Sequence, residues 1–174
     1  ARLSGRLVPL AASVWLAACS TVTDVPPAPL AAAKGSALQR CAELASRFAY
    51  RQTRIESAAP VDGATLKLGD TPVPAHCLVR GRMNERTGSD GRDYAIGFEM
   101  RLPVAWNGRF YYQGNGGLDG VVLPALGALG GGPVTGALVQ GFAVISSDAG
   151  HTGAQTPFFG REPQARLDYG YQAV

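Results

Sequence analysis

The segment YAIGFEMRLP, residues 94–103, constrains the fold most, because apolar side chains stand at every second position. A period of two with small or charged residues between the apolar ones is typical of a β-strand. The apolar set is Tyr94, Ile96, Phe98, Met100 and Leu102. Residues 78–84 form a second strand-like run, and the polar, glycine-containing ERTGSDGRD between the two predicts a turn. We therefore expect an antiparallel hairpin that ends at Pro103.

The rest of the sequence predicts an α/β protein in which this hairpin leads into a mostly parallel sheet. A short strand is expected at residues 55–58, and RFYYQG is apolar enough to predict a central strand. TGALVQG predicts a short helix that ends at Gly141, and FAVISSD predicts a buried strand of a parallel sheet. EPQARLDYGYQAV begins with an acid and a proline, which indicates a helix start.

Composition favours a globular domain with many loops. The 174 residues are 46% hydrophobic and 17% charged, which is enough apolar material for one domain with a core. The 23 glycines and 12 prolines favour a turn-rich fold that contains β-structure over a helical bundle. The net charge is +3, but the arginines are scattered and form no dense block, so nucleic acid is not an expected partner.

The N-terminal segment has the pattern of an export signal. Two arginines precede an apolar run that ends in Leu-Ala-Ala-Cys, and the run is too short to span a bilayer as a helix. We interpret residues 1–18 as a signal peptide, Cys19 as a lipidation site, and the Pro/Ala/Ser/Thr-rich residues 19–36 as a tether. The alternative is an ordinary secretory signal in which Cys19 has no role. Either way we expect an exported protein, periplasmic or anchored to the outer membrane.

The two remaining cysteines form an even pair in a chain that we expect to be exported. Cys41 lies in a predicted short helix, residues 37–48, and Cys77 begins an apolar stretch. A disulfide between them would close a loop of about 36 residues, which stabilises a fold by on the order of 3–4 kcal/mol. Two buried free thiols are the alternative. Metal binding is disfavoured, because the two cysteines and His76 lack the usual ligand spacing.

The stretch GNGGLDG, residues 114–120, is rich in glycine. Glycines at such density predict that the backbone closely approaches a ligand or another segment of the chain. A phosphate-binding loop would need a following Gly-Lys-Ser/Thr, which is absent, and a dinucleotide fingerprint would open directly into a helix. The downstream run contains proline and further glycines and is no clean helix start. An oxyanion hole, which uses backbone N–H groups of such a loop, and a plain surface loop remain equally compatible with the pattern.

Asp148 and His151 follow the predicted buried strand in SSDAGHTG. They do not predict a catalytic triad, because the serines lack the G-x-S-x-G elbow and α/β-hydrolases order their triad Ser, acid, His along the chain. We expect both side chains to hydrogen-bond loop backbone at the carboxyl edge of the sheet. Ligands bind at that edge, so a substrate-side role is the alternative. For His76 a packed, hydrogen-bonded side chain is the default expectation.

Four stretches together resemble the tannase and feruloyl esterase family. They are VPAHCLVRG, IGFEMRLPVAWNGRFYYQGNGGLDG, GFAVISSDAGH and PQARLDYGY. The resemblance covers roughly residue 38 to the end of the sequence, and residues 98–120 are its most specific part. One position departs from the family pattern, since Val73 stands where leucine is usual. The family is an α/β-hydrolase, so the resemblance implies that residues 37–174 are the N-terminal portion of that fold.

The resemblance also implies an exported serine esterase that acts on small esters of aromatic acids. The family's nucleophile lies in a Cys-Ser-x-Gly-Gly elbow, which does not occur after Tyr171. The catalytic serine, acid and histidine, and the lid with its calcium site, are therefore expected outside this sequence, with no cofactor held by this chain. Without the triad, the chain alone is expected to be inactive. A complete, non-catalytic surface lipoprotein that binds a ligand or partner is the alternative.

Individual positions follow from the same resemblance. The oxyanion glycine of the family maps onto Gly117, and Gly116, Asp148 and His151 lie on the loops expected beside the substrate. The family's N-terminal disulfide maps onto Cys41 and Cys77, which agrees with the cysteine count. The second oxyanion donor would be the residue after the absent serine.

Overall fold

The structure is a computed structural model, and it describes residues 33–128 and 135–173. The signal peptide, Cys19 and most of the predicted tether lie outside the described residues. In chain order the strands are β1 (Ser36–Ala37), β2 (Thr53–Val61), β3 (Lys67–Leu68), β4 (Thr71–Pro72), β5 (His76–Thr87), β6 (Asp93–Pro103), β7 (Ala105–Trp106), β8 (Phe110–Gln113) and β9 (Ala143–Ser147). The helical segments are α1 (Leu44–Arg47), two 3₁₀ turns (Gly153–Gln155 and Phe158–Arg161), α2 (Pro163–Leu167) and a π-helical turn (Asp168–Gln172).

Five strands form the main sheet in the order β2-β5-β6-β9-β8. The first three pairings are antiparallel, and β8 runs parallel to β9. The β5–β6 pair is the expected hairpin, with Gly81 opposite Phe98. A Cβ at Gly81 would lie 2.6 Å from the Phe98 ring and from the Arg54 carbonyl oxygen, so only glycine fits there. The predicted hairpin, the buried strand at residues 143–147 and the α/β class are confirmed.

Strand β6 is covered on both faces rather than on one. Tyr94, Ile96 and Phe98 are buried as the alternation predicts, but Glu99 and Arg101 on the other face are buried as well. Two small cores use the apolar set, one around Tyr94 and one around Ile96. A third core lies beside β9 and joins Val73, Ala125, Ala137, Leu138 and Val144.

The buried charges of β6 belong to one hydrogen-bonded chain. Arg101 Nε donates to Glu99 Oε1 at 2.8 Å, and the guanidinium lies 2.9 Å from His76 Nε2. The Nδ1 of His76 lies 2.8 Å from the Pro74 carbonyl oxygen, so Nδ1 carries the proton and Nε2 accepts from Arg101. Burial lowers the pKa of His76, which favours this neutral form. The expectation of a packed, hydrogen-bonded histidine is confirmed.

The predicted helix at residues 37–48 is wrong. Only Leu44–Arg47 is helical, and Ala37 instead pairs with Ala105 in a short two-stranded sheet. The Leu38 N–H donates to the Val104 carbonyl oxygen at 3.0 Å, so the backbone that helix formation would use is engaged by a neighbouring strand. Ser36, at the end of the segment assigned to the tether, is already part of this pairing.

The disulfide between Cys41 and Cys77 is present. It joins the segment before α1 to the first residues of β5, across a sequence separation of 36 residues. Cys77 is fully buried, whereas Cys41 is half-buried. The disulfide pairing expected from the cysteine count and from the family resemblance is therefore confirmed.

Two further expectations differ from the structure. Among the described residues β8 stands last in the strand order and pairs only with β9, so it is not central there. Phe110 and Tyr111 of β8 are correspondingly exposed. The expected helix before Gly141 is a hydrogen-bonded turn, in which the Gly141 N–H bonds to the Leu138 carbonyl oxygen. Gly141 has φ +84°, the left-handed conformation of a terminating glycine.

Candidate functional site: the glycine loop at the carboxyl edge of the sheet

The glycine-rich loop leaves the end of β8 and makes a tight turn from Gly116 to Asp119. The Asp119 N–H donates to the Gly116 carbonyl oxygen at 3.2 Å, and Gly117 has φ +65° at the second turn position. A trans peptide group points its C=O and N–H in opposite directions. The Gly116 carbonyl faces into the turn, so the Gly117 N–H faces out of it.

The space beside this N–H is open. A Cβ built on Gly116 or Gly117 would meet no atom within 4 Å. Within the described residues no acceptor is placed against the Gly117 N–H. An outward backbone donor in open space is the group that an oxyanion hole needs, since it can reach an oxygen that no side chain blocks.

The loop is fixed to the end of β9 by hydrogen bonds on both sides of the turn. Before it, the Asn115 amide donates to the Ser147 carbonyl oxygen at 2.7 Å. After it, the Gly120 N–H donates to the Asp148 carbonyl oxygen at 3.0 Å, and the Gly153 N–H donates to the Gly120 carbonyl oxygen at 2.8 Å. The glycine loop and the loop after β9 therefore lie against each other.

The Asp148 carboxylate accepts hydrogen bonds from the backbone at this edge of the sheet. Its Oδ1 accepts from the Gly97 N–H at 3.0 Å and from the Gly150 N–H at 2.9 Å. Burial raises the pKa of the carboxyl group to about 6, although both N–H bonds and the charge of Arg82 favour the ionised form. The favoured interpretation of Asp148, hydrogen bonding to loop backbone at the carboxyl edge, agrees with these contacts.

His151 lies inside an aromatic cluster instead of facing the open space. It is 1% exposed and stacks on Phe159 with ring centroids 3.7 Å apart. Neither ring nitrogen makes a hydrogen bond of full geometry within the described residues, although the backbone of Ala149 and Leu118 lies close enough to oppose the effect of burial on the pKa of His151. Burial lowers the pKa of His151, which keeps the ring neutral. Burial also raises the pKa of Asp119, and His151 is close enough to oppose that shift.

Two residues of the site have no signal in the sequence that would have identified them. Asn115 could be recognised as a turn residue, but two of the three acceptors that its amide contacts, on Ser146 and Ser147, lie in a segment distant in sequence. Tyr169 lies on the π-helical turn, and its hydroxyl donates to the Gly117 carbonyl oxygen at 3.3 Å. Only the fold brings that helical turn to the glycine loop.

An apolar groove lies away from this loop. A groove of about 610 Å³ runs between the segment around Leu38 and the sheet, and Met100, Trp106 and Phe110 are among its lining residues. No residue of the glycine loop or of the loop after β9 lines it. The described residues contain no cluster of three or more His, Cys, Asp or Glu side chains that could hold a metal ion. Nor do they include a helix long and apolar enough to cross a membrane.

A hairpin that leads into parallel strands, with an open backbone donor at their carboxyl edge, defines part of an α/β fold of the hydrolase kind. Solved structures agree. Over 77% of this chain and 26% of theirs, feruloyl esterase B from Aspergillus oryzae has a TM-score of 0.60 at 23% identity, and an Aspergillus oryzae esterase has 0.57. The family profile described as tannase and feruloyl esterase matches residues 77–174. The chain belongs to this family.

Curated relatives give the same placement. The chain is 42% identical over 129 residues to mono(2-hydroxyethyl) terephthalate hydrolase of Piscinibacter sakaiensis, an alignment that covers 70% of this chain and 21% of the relative. An uncharacterized esterase of Agrobacterium fabrum is 30% identical over 68% of this chain and 22% of its own length. A probable feruloyl esterase B-2 of Aspergillus flavus is 34% identical over 44% of this chain and 13% of its length. The chain spans about a fifth of the length of the first two relatives.

The raised pKa of Asp148 predicts a pH-dependent stability difference between the wild type and Asp148→Asn. Between pH 3.8 and about 6 the folded carboxyl binds a proton that the unfolded one has released, so this contribution to wild-type stability is lost as pH rises through about 6. The asparagine variant keeps an oxygen acceptor and does not titrate. Its free energy of unfolding relative to wild type should therefore rise by up to about 3 kcal/mol from pH 4 to pH 7.

Chemical unfolding of the full-length protein and its variant across that pH range measures this difference. A difference that stays constant with pH would show that Asp148 titrates normally. Asp90→Asn is the matched control, because burial does not dominate that exposed carboxyl, whose pKa is lowered chiefly by the Arg92 backbone N–H.

Proposed function

We propose that the protein carrying this chain is a serine esterase that hydrolyses esters of aromatic acids. The observation that carries the proposal is the outward Gly117 N–H in open space at the carboxyl edge of β8 and β9. Family membership supports ester hydrolysis. Support for an aromatic acyl group comes from the relatives named as a terephthalate monoester hydrolase and as feruloyl esterases.

In the proposed reaction a serine from outside this sequence attacks the ester carbonyl and a histidine, also from outside it, takes the serine proton. The carbonyl oxygen becomes an alkoxide in the tetrahedral intermediate. The Gly117 N–H donates to that oxygen together with the N–H of the residue after the serine, and each such donor lowers the barrier by about 3–4 kcal/mol. In this proposal Asp148 and His151 do not contact the substrate. They stabilise the loops that carry Gly117. A non-catalytic surface lipoprotein is the weaker alternative, because the family consists of ester hydrolases.

The 174-residue chain by itself is expected to show no esterase activity, because it contributes an oxyanion donor but no serine elbow. The measurement is turnover of a p-nitrophenyl benzoate by the purified chain, beside the full-length protein at equal molar concentration. If the chain alone still turns over the ester after purification over two columns, the proposal that the catalytic serine lies outside this sequence is wrong. The alternative of a self-contained binding protein would instead gain support from a stop codon directly after Val174.

Replacing Gly117 by valine in the full-length protein should lower kcat about a hundredfold or more, because one oxyanion donor is lost. A β-branched residue at φ +65° is strained, and its side chain would occupy the space in front of the N–H. KM should change little, since the bond forms only in the transition state.

Gly91→Val is the matched control for this substitution. Gly91 also has a positive φ, +75°, and open space around its Cβ, but it lies in the hairpin turn between β5 and β6. It imposes a similar backbone strain and should leave kcat near the wild-type value. A Gly117→Val enzyme with normal kcat would remove Gly117 from the oxyanion hole.

We also propose that the protein is exported and held at a membrane by a lipid on Cys19. The sequence Leu-Ala-Ala-Cys at the end of the short apolar run supports this, as does the tether-like composition of residues 20–36. Mass spectrometry of the membrane fraction should find diacylglyceryl and acyl groups on an N-terminal Cys19. The Cys19→Ser protein should be released into the soluble fraction. An unmodified Cys19 in the membrane fraction would contradict the proposal.

A further inference from the structure

We propose that Tyr169 is a positioning residue that holds the glycine turn in the conformation that aims the Gly117 N–H outward. The inference rests on the proposed oxyanion role of Gly117 and deepens it. Tyr169 does not contact the reacting atoms in this proposal. It acts through the Gly117 carbonyl, to which its hydroxyl donates at 3.3 Å.

This hydrogen bond is made to the peptide group whose rotation would change the conformation of the turn. The turn from Gly116 to Asp119 has three peptide groups, and the middle one joins Gly117 to Leu118. Tight turns interconvert between related types by rotation of this middle group, which changes ψ of the second residue and φ of the third. Tyr169 bonds to the carbonyl oxygen of this group and therefore opposes its rotation.

The other contacts of the described residues act on the ends of the turn or on its outer peptide groups, where the Leu118 backbone approaches His151. The bond from the Asp119 N–H to the Gly116 carbonyl closes it, and at 3.2 Å it is not short. Gly116 and Gly117 have no side chains to restrict their own backbone angles. Asn115 and Gly120 fix the two ends of the loop. Of the contacts described, only the Tyr169 hydrogen bond is made by a side chain to the middle peptide of the turn.

Tyr169 is itself held well enough to do this. Its ring packs at a tilt against Phe159 and His151, with centroids 5.3 and 5.8 Å away. The preceding residue, Asp168, is fully buried and pairs with Arg86 of β5 at 2.6 Å. The aromatic cluster and this ion pair together fix the helical turn that carries the hydroxyl. Within the proposal, His151 supports the oxyanion site through Tyr169 without any proton transfer.

The test is Tyr169→Phe in the full-length protein, which keeps the ring and its packing and removes only the hydroxyl. We expect kcat to fall about five- to tenfold, the loss typical of one neutral hydrogen bond, with KM unchanged. Hydrogen–deuterium exchange should become faster in a peptide spanning residues 114–120, without a matching change in the β5–β6 hairpin. This second measurement reports on the turn whether or not the enzyme turns over.

Tyr171→Phe is the matched control. It lies on the same helical turn, its side chain is 76% exposed, and its hydroxyl has no hydrogen-bond partner among the described residues. It should leave both kcat and the exchange rate at their wild-type values. Adding Tyr169→Phe to Gly117→Val should lower kcat no further, because the two changes disable the same donor.

The outcomes separate this inference from the proposed function. If Gly117→Val lowers kcat but Tyr169→Phe changes neither kcat nor exchange, the positioning role is wrong and the oxyanion role stands. If Tyr169→Phe speeds exchange but Gly117→Val has normal kcat, Tyr169 holds the turn and the oxyanion role is wrong. A loss of kcat that is additive in the double variant would contradict action through Gly117.

Discussion

The site depends on two hydrogen bonds that join Gly97 to Asp148. The Asp148 N–H donates to the Gly97 carbonyl oxygen, and the Gly97 N–H donates to Asp148 Oδ1, both at 3.0 Å. They extend the contact between β6 and β9 one residue beyond the last backbone pair, Phe98 with Ser147. A Cβ at Gly97 would lie 2.7 Å from Asp148 Oδ2, so the side chain can enter only because that position is glycine.

These two bonds fix the start of the loop after β9. The glycine loop is hydrogen-bonded to the same residues. The Asp148 carbonyl accepts from Gly120, and the Gly120 carbonyl accepts from Gly153. Gly120 has φ +88° and would bring a Cβ within 2.8 Å of the Gly153 nitrogen. The two loops approach so closely because neither has a side chain at the crossing. The antiparallel hairpin therefore fixes the position of the Gly117 turn, because Asp148 hydrogen-bonds both to β6 and to the glycine loop.

The buried charges of β6 stabilise the other end of the glycine loop region. Glu99 Oε1 accepts from the Ala125 N–H at 3.1 Å as well as from Arg101. Removing one member of such a buried group leaves an uncompensated charge, which typically costs 3–5 kcal/mol. Glu99 and Arg101 alternate with the apolar residues of β6, and the alternation by itself does not predict that they are buried. The Ala125 N–H bonds to Glu99 and Val122 lies beside Gly97, so this segment packs on the face that carries the charges. The period of two within one strand carries no information about a loop that packs on it from elsewhere in the chain.

The sequence predicts the elements whose pattern depends on their own residues, and it misses those that depend on contacts with residues far away in the chain. The hairpin and β9 are readable because their patterns reflect burial along each strand. The helix expected at residues 37–48 fails because Ala37 and Leu38 bond to β7 and its flank, a contact that depends on residues about 67 positions away. Gly117 could be placed by family resemblance. Asn115 and Tyr169 could not, since their partners come from β9 and from a turn 52 residues distant.

Among the described residues, three contacts hold the Gly117 turn and its flanks. Asn115 binds the end of β9, Gly120 binds the loop after it, and Tyr169 binds the turn itself. The oxyanion donor proposed at Gly117 would, when held in this way, need no reorganisation as charge develops on the substrate, which is the condition under which such donors lower a barrier most. The N-terminal part of such an esterase would then supply a preformed half of the hole, to which the serine elbow adds the second donor.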